Sequence, residues 1–153
     1  MTHHFTPRGV SFLTYMLYLN EALWGDFFLK MKPRILVVDD DREIFEILVY
    51  ALETEGFELV WAKDGEEFHQ KAVVCQPHLI LLDIMLGAEN GPEIYKRLLA
   101  QGLNREIPVI FISSLIQSPS PLPIQPGRLC TMHAKPFKFD RLLGDIRTMT
   151  SAN

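Results

Sequence analysis

The sequence predicts an α/β fold, a doubly wound parallel sheet with helices on both faces. Short runs of consecutive apolar residues, such as ILVV at 35–38 and LILL at 79–82, are typical of strands buried on both sides. Segments of helix length, with apolar residues at helical spacing, separate these runs. Because parallel neighbours need long crossover connections, this alternation indicates parallel pairing.

Strands and helices follow one another from residue 34 onward. The predicted strands cover residues 35–39, 57–62, 79–83, 108–113 and 129–134. The predicted helices cover residues 41–55, the stretch between 65 and 76, residues 91–102 and residues 137–148. Asp41 is the expected N-cap of the first helix and Gly56 ends it. The second helix bears Phe68, Ala72 and Val73 as its apolar residues.

Residues 1–33 differ from this pattern and form an N-terminal extension. Its apolar residues recur at helical spacing and predict a wide amphipathic helix, with a stripe of Phe12, Met16, Leu19, Leu23 and Phe27. The run is too short and too polar to span a membrane, which takes about 20 apolar residues. Three interpretations stay open: a docking or homodimerisation helix, a helix packed on its own domain, or a natural start at Met31.

A proline-rich stretch occupies the place of a helix between the fourth and fifth strands. Proline lacks an amide hydrogen and breaks a helix interior, and four prolines lie here: Pro119, Pro121, Pro123 and Pro126. We therefore expect an extended loop that largely replaces the fourth helix. Its loss would uncover apolar sheet surface, which the N-terminal helix could cover in the same chain or in a dimer.

Composition narrows the class of protein. The chain has 153 residues and a net charge of −4, without a cluster of Lys or Arg, so we expect no direct binding to nucleic acid. Its two cysteines are too few for a secreted disulfide framework. Reduced thiols and a cytoplasmic location are the simpler expectation.

Polar residues at the ends of the predicted strands are the candidate functional residues, because a buried strand does not need them for packing. They are Asp39, Asp40, Asp83, Ser113 and Lys135. The carboxyl ends of parallel strands meet at one edge of the sheet, so we expect these side chains to converge. Clustered carboxylates repel one another unless a cation intervenes, and Mg²⁺ prefers such oxygen ligands. A carboxylate, a lysine, a hydroxyl and Mg²⁺ together are suited to phosphoryl transfer.

In this order the motifs resemble the receiver domain of bacterial two-component response regulators. The matching segments are the acidic pair after ILVV, Asp83 in LLDIMLGAENG, the serine of PVIFIS and Lys135–Pro136 in AKPF. The resemblance implies a flavodoxin-like five-stranded sheet of order 2-1-3-4-5. It places a receiver domain at residues 34–150, after the extension at residues 1–33.

The resemblance also implies a role for each site residue. Asp83 would accept a phosphoryl group from a sensor histidine kinase or phosphotransfer protein. Asp40 would bind Mg²⁺ directly, Asp39 mostly through water, and the backbone carbonyl of Met85 would add a ligand. Ser113 would hydrogen-bond the phosphoryl group and Lys135 would pair with its charge, with a cis peptide bond before Pro136. Such a domain signals to a downstream protein by contacts and is not an enzyme.

Two positions depart from the family pattern. Gly87 stands where a proline is usual, which loosens the loop after Asp83. Met132 stands at the switch position, three residues before Lys135, where an aromatic ring is usual, and a thioether lacks its bulk. A phosphorylation-independent interaction or dimerisation module is therefore the alternative function.

A phosphatase with an aspartate nucleophile is disfavoured because Met85 replaces its second carboxylate. A flavodoxin-like cofactor binder is disfavoured because no phosphate-binding loop follows the first strand.

Overall fold

The computed structural model describes residues 32–114 and 130–151. The predicted N-terminal helix and the proline-rich stretch lie outside the described residues. Both therefore stay predictions, as does the suggestion that the N-terminal helix covers the apolar sheet surface beside the proline-rich stretch.

Strands and helices alternate as the apolar runs predict. The sheet strands are β1 (Arg34–Val38), β2 (Glu58–Ala62), β3 (Leu79–Asp83), β4 (Val109–Ser113) and β5 (Cys130–Ala134). The helices of the described part are α1 (Arg42–Glu53), α2 (Gly65–Cys75), α3 (Gly91–Ala100) and α4 (Phe139–Ser151). Predicted and observed bounds differ by a few residues at most, the usual uncertainty of helix and strand ends.

All strand pairs of the sheet are parallel, and the order is β2-β1-β3-β4-β5. This confirms the predicted fold and the order 2-1-3-4-5. Val38, the last residue of β1, pairs with Ala62 on one side and with Leu82 on the other. The carboxyl ends of neighbouring strands are therefore level, and residues that follow these ends start from the same edge.

Each face of the sheet has its own apolar core, because successive strand residues point to opposite faces. Leu36 and Val38 of β1 pack with α2 and α3, whereas Ile35 and Val37 pack with α1 and α4. All four of these side chains are fully buried. A strand that is covered on both faces has no polar alternation, which explains why the apolar runs predict it.

Two local features differ from what the sequence suggests. Val73 is 66% exposed, although Phe68 and Ala72 of the same helix are buried. One residue advances a helix by about 100°, so a residue next to Ala72 turns away from the sheet. The segment after Asp83 is more ordered than a plain turn, since Met85–Leu86 pairs antiparallel with Glu89–Asn90 around Gly87 at φ 59°.

Within residues 32–114 and 130–151, none of the helices has both the length and the apolar character that crossing a membrane requires.

Candidate functional site

The strand ends bring the predicted polar residues to one edge of the sheet. Asp39 directly follows β1, Asp83 and Ser113 end β3 and β4, and Lys135 directly follows β5. Asp39, Asp83 and Ser113 are 0%, 4% and 3% exposed. Buried polar groups require partners, so the contacts of these residues determine what the site can do.

Lys135 joins the two buried carboxylates. Its Nζ donates hydrogen bonds to Oδ2 of Asp39 at 2.6 Å and to Oδ2 of Asp83 at 2.5 Å. Only 13% of the Lys135 side chain is exposed, so solvent screens these ion pairs weakly. One ammonium group therefore holds two carboxylates that would otherwise repel each other.

Burial and hydrogen bonding act against each other on the pKa values of both Asp39 and Lys135. Burial raises the pKa of Asp39, and the hydrogen bonds from Lys135 and from the Asp41 amide offset only part of this rise. Burial alone would lower the pKa of Lys135, but its bonds to Asp39 and Asp83 outweigh this effect and raise its pKa. Lys135 is therefore a firmly charged ammonium at neutral pH.

Asp40 completes a group of three carboxylates. Oxygen atoms of Asp39, Asp40 and Asp83 all lie within 4.8 Å of one another. Asp40 is exposed while the other two are buried, so the group opens to solvent on one side. Hard oxygen ligands with an open side match the preference of Mg²⁺, which keeps several waters and takes few carboxylates. The donor set fits the predicted magnesium site.

Backbone hydrogen bonds hold the acidic turn after β1. Asp39 Oδ1 accepts from the amide of Asp41 at 2.9 Å. Asp41 in turn caps α1, since its Oδ1 accepts from the amide of Glu43 at 2.8 Å, which confirms the predicted N-cap. The turn that carries the carboxylates is thus tied directly to the start of a helix.

The loop after β3 is held in a similar way. Oδ1 of Asp83 accepts from the amide of Met85 at 2.9 Å, while Oδ2 faces Lys135. The amide of Gly91 donates to the carbonyl of Ile84 at 2.9 Å. Met85 is 48% exposed and lies next to the acidic group. The role of its carbonyl as a metal ligand stays a prediction.

Gly91 is a residue that the sequence reasoning missed. A Cβ at this position would lie 2.0 Å from the carbonyl oxygen of Asp83 and 3.1 Å from its carbonyl carbon. Only glycine lets the first residue of α3 approach the backbone of Asp83 so closely. A glycine at a predicted helix start is the available signal, but it does not reveal which backbone the glycine faces.

The remaining predicted residues lie around the pocket. The amide of Lys135 donates to the carbonyl of Ser113 at 2.8 Å, and the Lys135–Pro136 bond is cis, as predicted. Met132 is half-buried opposite Phe111 and packs on the core formed with α2 and α3. It therefore fills space at the border of that core, and its function as a switch stays a prediction.

Comparison with known proteins identifies the family. The family model described as "Response regulator receiver domain" matches residues 35–147. The chain belongs to this family, the receiver domains of two-component response regulators.

Individual relatives agree with this assignment. The chain is 45% identical over 73 residues to the alkaline phosphatase synthesis transcriptional regulatory protein PhoP of Bacillus subtilis, covering 48% of this chain and 30% of that protein. It is 32% identical over 117 residues to the DNA-binding dual master transcriptional regulator RpaA of Synechocystis, covering 76% and 48%. The chain spans half or less of the length of these relatives.

A solved structure shows the same fold. The receiver domain of sensor histidine kinase PA1611 from Pseudomonas aeruginosa, which has a magnesium ion coordinated in its active site cleft, matches with a TM-score of 0.68 and 23% identity. The match covers 79% of this chain and 99% of that one.

Proposed function

We propose that the chain is a phosphoacceptor receiver. Asp83 accepts a phosphoryl group from the phosphohistidine of a sensor histidine kinase or phosphotransfer protein, with Mg²⁺ as the cofactor. The observation that carries the proposal is the double contact of Lys135 with Asp39 and Asp83 beside the exposed Asp40. Asp83 is held next to a cation, in a group whose third member, Asp40, is exposed, so it is placed to act as a nucleophile at the mouth of the pocket.

The transfer exchanges one phosphorus bond for another. A carboxylate oxygen of Asp83 attacks phosphorus, a P–O bond forms, and the P–N bond to the donor imidazole breaks. The bond electrons leave with the imidazole nitrogen. Lys135 is already within hydrogen-bond distance of Asp83, so it can pair with the phosphoryl oxygens without a long movement. Ser113, at the end of the neighbouring strand, supplies a hydroxyl.

Asp39, Asp40 and Asp83, with the carbonyl of Met85, would hold the magnesium ion. The ion would supply positive charge to the phosphoryl oxygens. This proposal is supported by the three converging carboxylates and by the magnesium-bound cleft of the PA1611 receiver domain.

The output is proposed to pass through protein contacts rather than through chemistry on a substrate, so the chain would not act as an enzyme. PhoP and RpaA are named as transcriptional regulators, and RpaA as DNA-binding. The chain matches only 30% and 48% of the length of those proteins, so the DNA-binding part of RpaA need not lie in the matched region. We expect no direct contact of this domain with nucleic acid, and a cytoplasmic setting where kinases and donors are present.

Acetyl phosphate with Mg²⁺, followed by intact mass spectrometry, tests the proposal. The wild-type chain should gain the mass of one phosphoryl group, and Asp83→Asn should not. Asp140→Asn is the matched control, because Asp140 is an exposed aspartate in the first turn of α4, away from the pocket. It should be phosphorylated like the wild type. A mass gain that survives in Asp83→Asn would contradict the assignment of the acceptor.

A phosphorylation-independent interaction module is the second candidate, and Met132 favours it. A half-buried, flexible thioether packed against the core can adapt to both states of the pocket without the two-position movement of a bulky ring. A wild-type chain that gains no mass from acetyl phosphate or from a phosphorylated kinase would support this candidate. Homodimerisation through residues 1–30 belongs to the same proposal. Light scattering measures the molecular mass in solution. The full chain should have the mass of a dimer, and a chain without residues 1–30 the mass of a monomer.

A further inference from the structure

We infer that Trp61 is a positioning residue for the magnesium site: its indole N–H holds the peptide that connects Asp39 to Asp40. The inference rests on the proposed function, since it concerns the same pocket. It assigns a role to a side chain on the outermost strand, β2, which none of the motifs includes.

The contact is direct. Nε1 of Trp61 donates a hydrogen bond of 2.8 Å to the backbone carbonyl oxygen of Asp39. This carbonyl belongs to the peptide plane that leads into Asp40. Fixing the plane therefore fixes the amide nitrogen and Cα of Asp40, the atoms from which its side chain departs.

The bond completes the restraint of Asp39. Its amide donates to the carbonyl of Ala62 at 3.1 Å, Oδ1 accepts from Asp41, and Oδ2 accepts from Lys135. With the indole on its carbonyl, each hydrogen-bonding atom of Asp39 has a partner. Asp40, in contrast, is exposed, so its place among the carboxylates depends on the backbone that precedes it.

The indole is itself held in place. Its ring stacks on Phe45 of α1 with centroids 5.6 Å apart and planes 16° from parallel. The guanidinium carbon of Arg42 lies 6.0 Å from the ring centroid. Nζ of Lys71 donates to the backbone carbonyl of Trp61 at 2.6 Å. Because the ring is already restrained on its face and at its backbone, forming the hydrogen bond to Asp39 costs little further side-chain entropy.

Two variants distinguish a positioning role of Trp61 from a role in packing alone. Trp61→Phe keeps an aromatic ring for stacking on Phe45 but removes the N–H. Phe45→Leu removes only the stacking partner. Arg42 beside the ring and Lys71 on the backbone still hold Trp61, so its N–H stays on the Asp39 carbonyl. Both variants lose packing, but only the first releases the peptide between the two carboxylates.

The test is Mg²⁺ titration by calorimetry, with thermal unfolding of each metal-free protein. Trp61→Phe should bind Mg²⁺ about three- to tenfold more weakly, the effect of one hydrogen bond of ordinary net strength. Phe45→Leu should keep the wild-type affinity even where its melting temperature falls as far. If Trp61→Phe does not fold, 3-benzothienylalanine at position 61 keeps the ring size and replaces only the N–H.

The outcomes are distinguishable. Unchanged affinity in Trp61→Phe or with benzothienylalanine overturns this inference and leaves the proposed function intact. An equal loss in Phe45→Leu also overturns it, because packing alone would then explain the effect. A wild-type chain that binds no Mg²⁺ overturns the magnesium part of the proposed function and this inference together.

Discussion

Lys135 sets the electrostatics of the pocket, because one ammonium group compensates two buried carboxylates. Removing one partner of a buried ion pair leaves the other charge without compensation, which costs more than the pair itself contributes. Asp39 is fully buried and cannot recover the lost contact from solvent. Lys135, which in the proposed function pairs with the phosphoryl group, is therefore also a structural residue.

Lys135→Met should lower the free energy of unfolding by about 3 kcal/mol at neutral pH in EDTA. The folded-state pKa of Lys135 is raised above its ordinary value of 10.5, so its contribution is fully present below that value. It is lost as the pH rises through the folded-state pKa. The difference between wild type and variant should thus stay constant near neutrality and shrink in more alkaline buffer.

Urea unfolding from pH 7 to the alkaline limit of stability checks this expectation. Lys138→Met is the matched control, since Lys138 is an exposed lysine close in sequence. Its variant should match the wild type at every pH. A deficit in Lys135→Met that grows with rising pH would contradict the assignment of the stabilising charge to Lys135.

Among the secondary-structure elements, the packing of α3 on the end of β3 is a contact that positions Asp83. Gly91 allows this contact because it brings no Cβ to the Asp83 carbonyl. Asn90 caps the same helix, with its Oδ1 accepting from the amide of Glu93 at 3.1 Å. The start of α3 and the loop after Asp83 are therefore packed together as one unit.

Gly91→Ala should destabilise the protein by about 2 kcal/mol, because the added methyl group forces α3 away from the Asp83 backbone. Gly144→Ala is the control, since Gly144 lies inside α4 and a Cβ there meets nothing within 4 Å. Alanine is favoured over glycine in a helix interior, so this variant should gain about 0.5–1 kcal/mol. Chemical denaturation measures both, and equal effects of the two variants would contradict the close-approach argument.

Sequence reasoning succeeded where one physical rule dominates. Unbroken apolar runs such as LILL specify buried parallel strands, and the level carboxyl ends of those strands bring Asp39, Asp83 and Lys135 together. It failed where the outcome depends on which segments meet in three dimensions. A tryptophan in an edge strand is equally typical of simple core packing, so nothing in the sequence connects Trp61 to the Asp39 carbonyl. The neighbour of Gly91 is hidden for the same reason.

For the whole molecule, Mg²⁺ should act as a stabilising ligand, because the folded chain assembles the carboxylates and the unfolded chain does not. At a concentration of 100 times its Kd, a ligand that binds only the folded state adds about 2.7 kcal/mol. The melting temperature of the wild type should therefore rise with Mg²⁺ and fall back on addition of EDTA.

In EDTA, Asp40→Asn should melt at or slightly above the wild-type temperature, because the substitution removes one of three carboxylates that repel one another. Its melting temperature should rise much less with Mg²⁺, because a proposed metal ligand is missing. Calorimetric melting with Mg²⁺ and with EDTA measures the effect. Glu66→Gln, at an exposed residue in the first turn of α2, is the control and should respond like the wild type. An identical rise in Asp40→Asn would exclude Asp40 from the metal site.

The wide spacing of the pocket residues along the chain has a consequence for protein synthesis. Lys135 reaches Asp39 across 96 positions and Asp83 across 52. A ribosome delivers the two aspartates before the lysine, so neither contact can form until residue 135 has been synthesised. A nascent receiver therefore has a carboxylate to modify but not the cation that completes its pocket. Under the proposed function, a chain that ends before β5 should therefore not accept a phosphoryl group at Asp83.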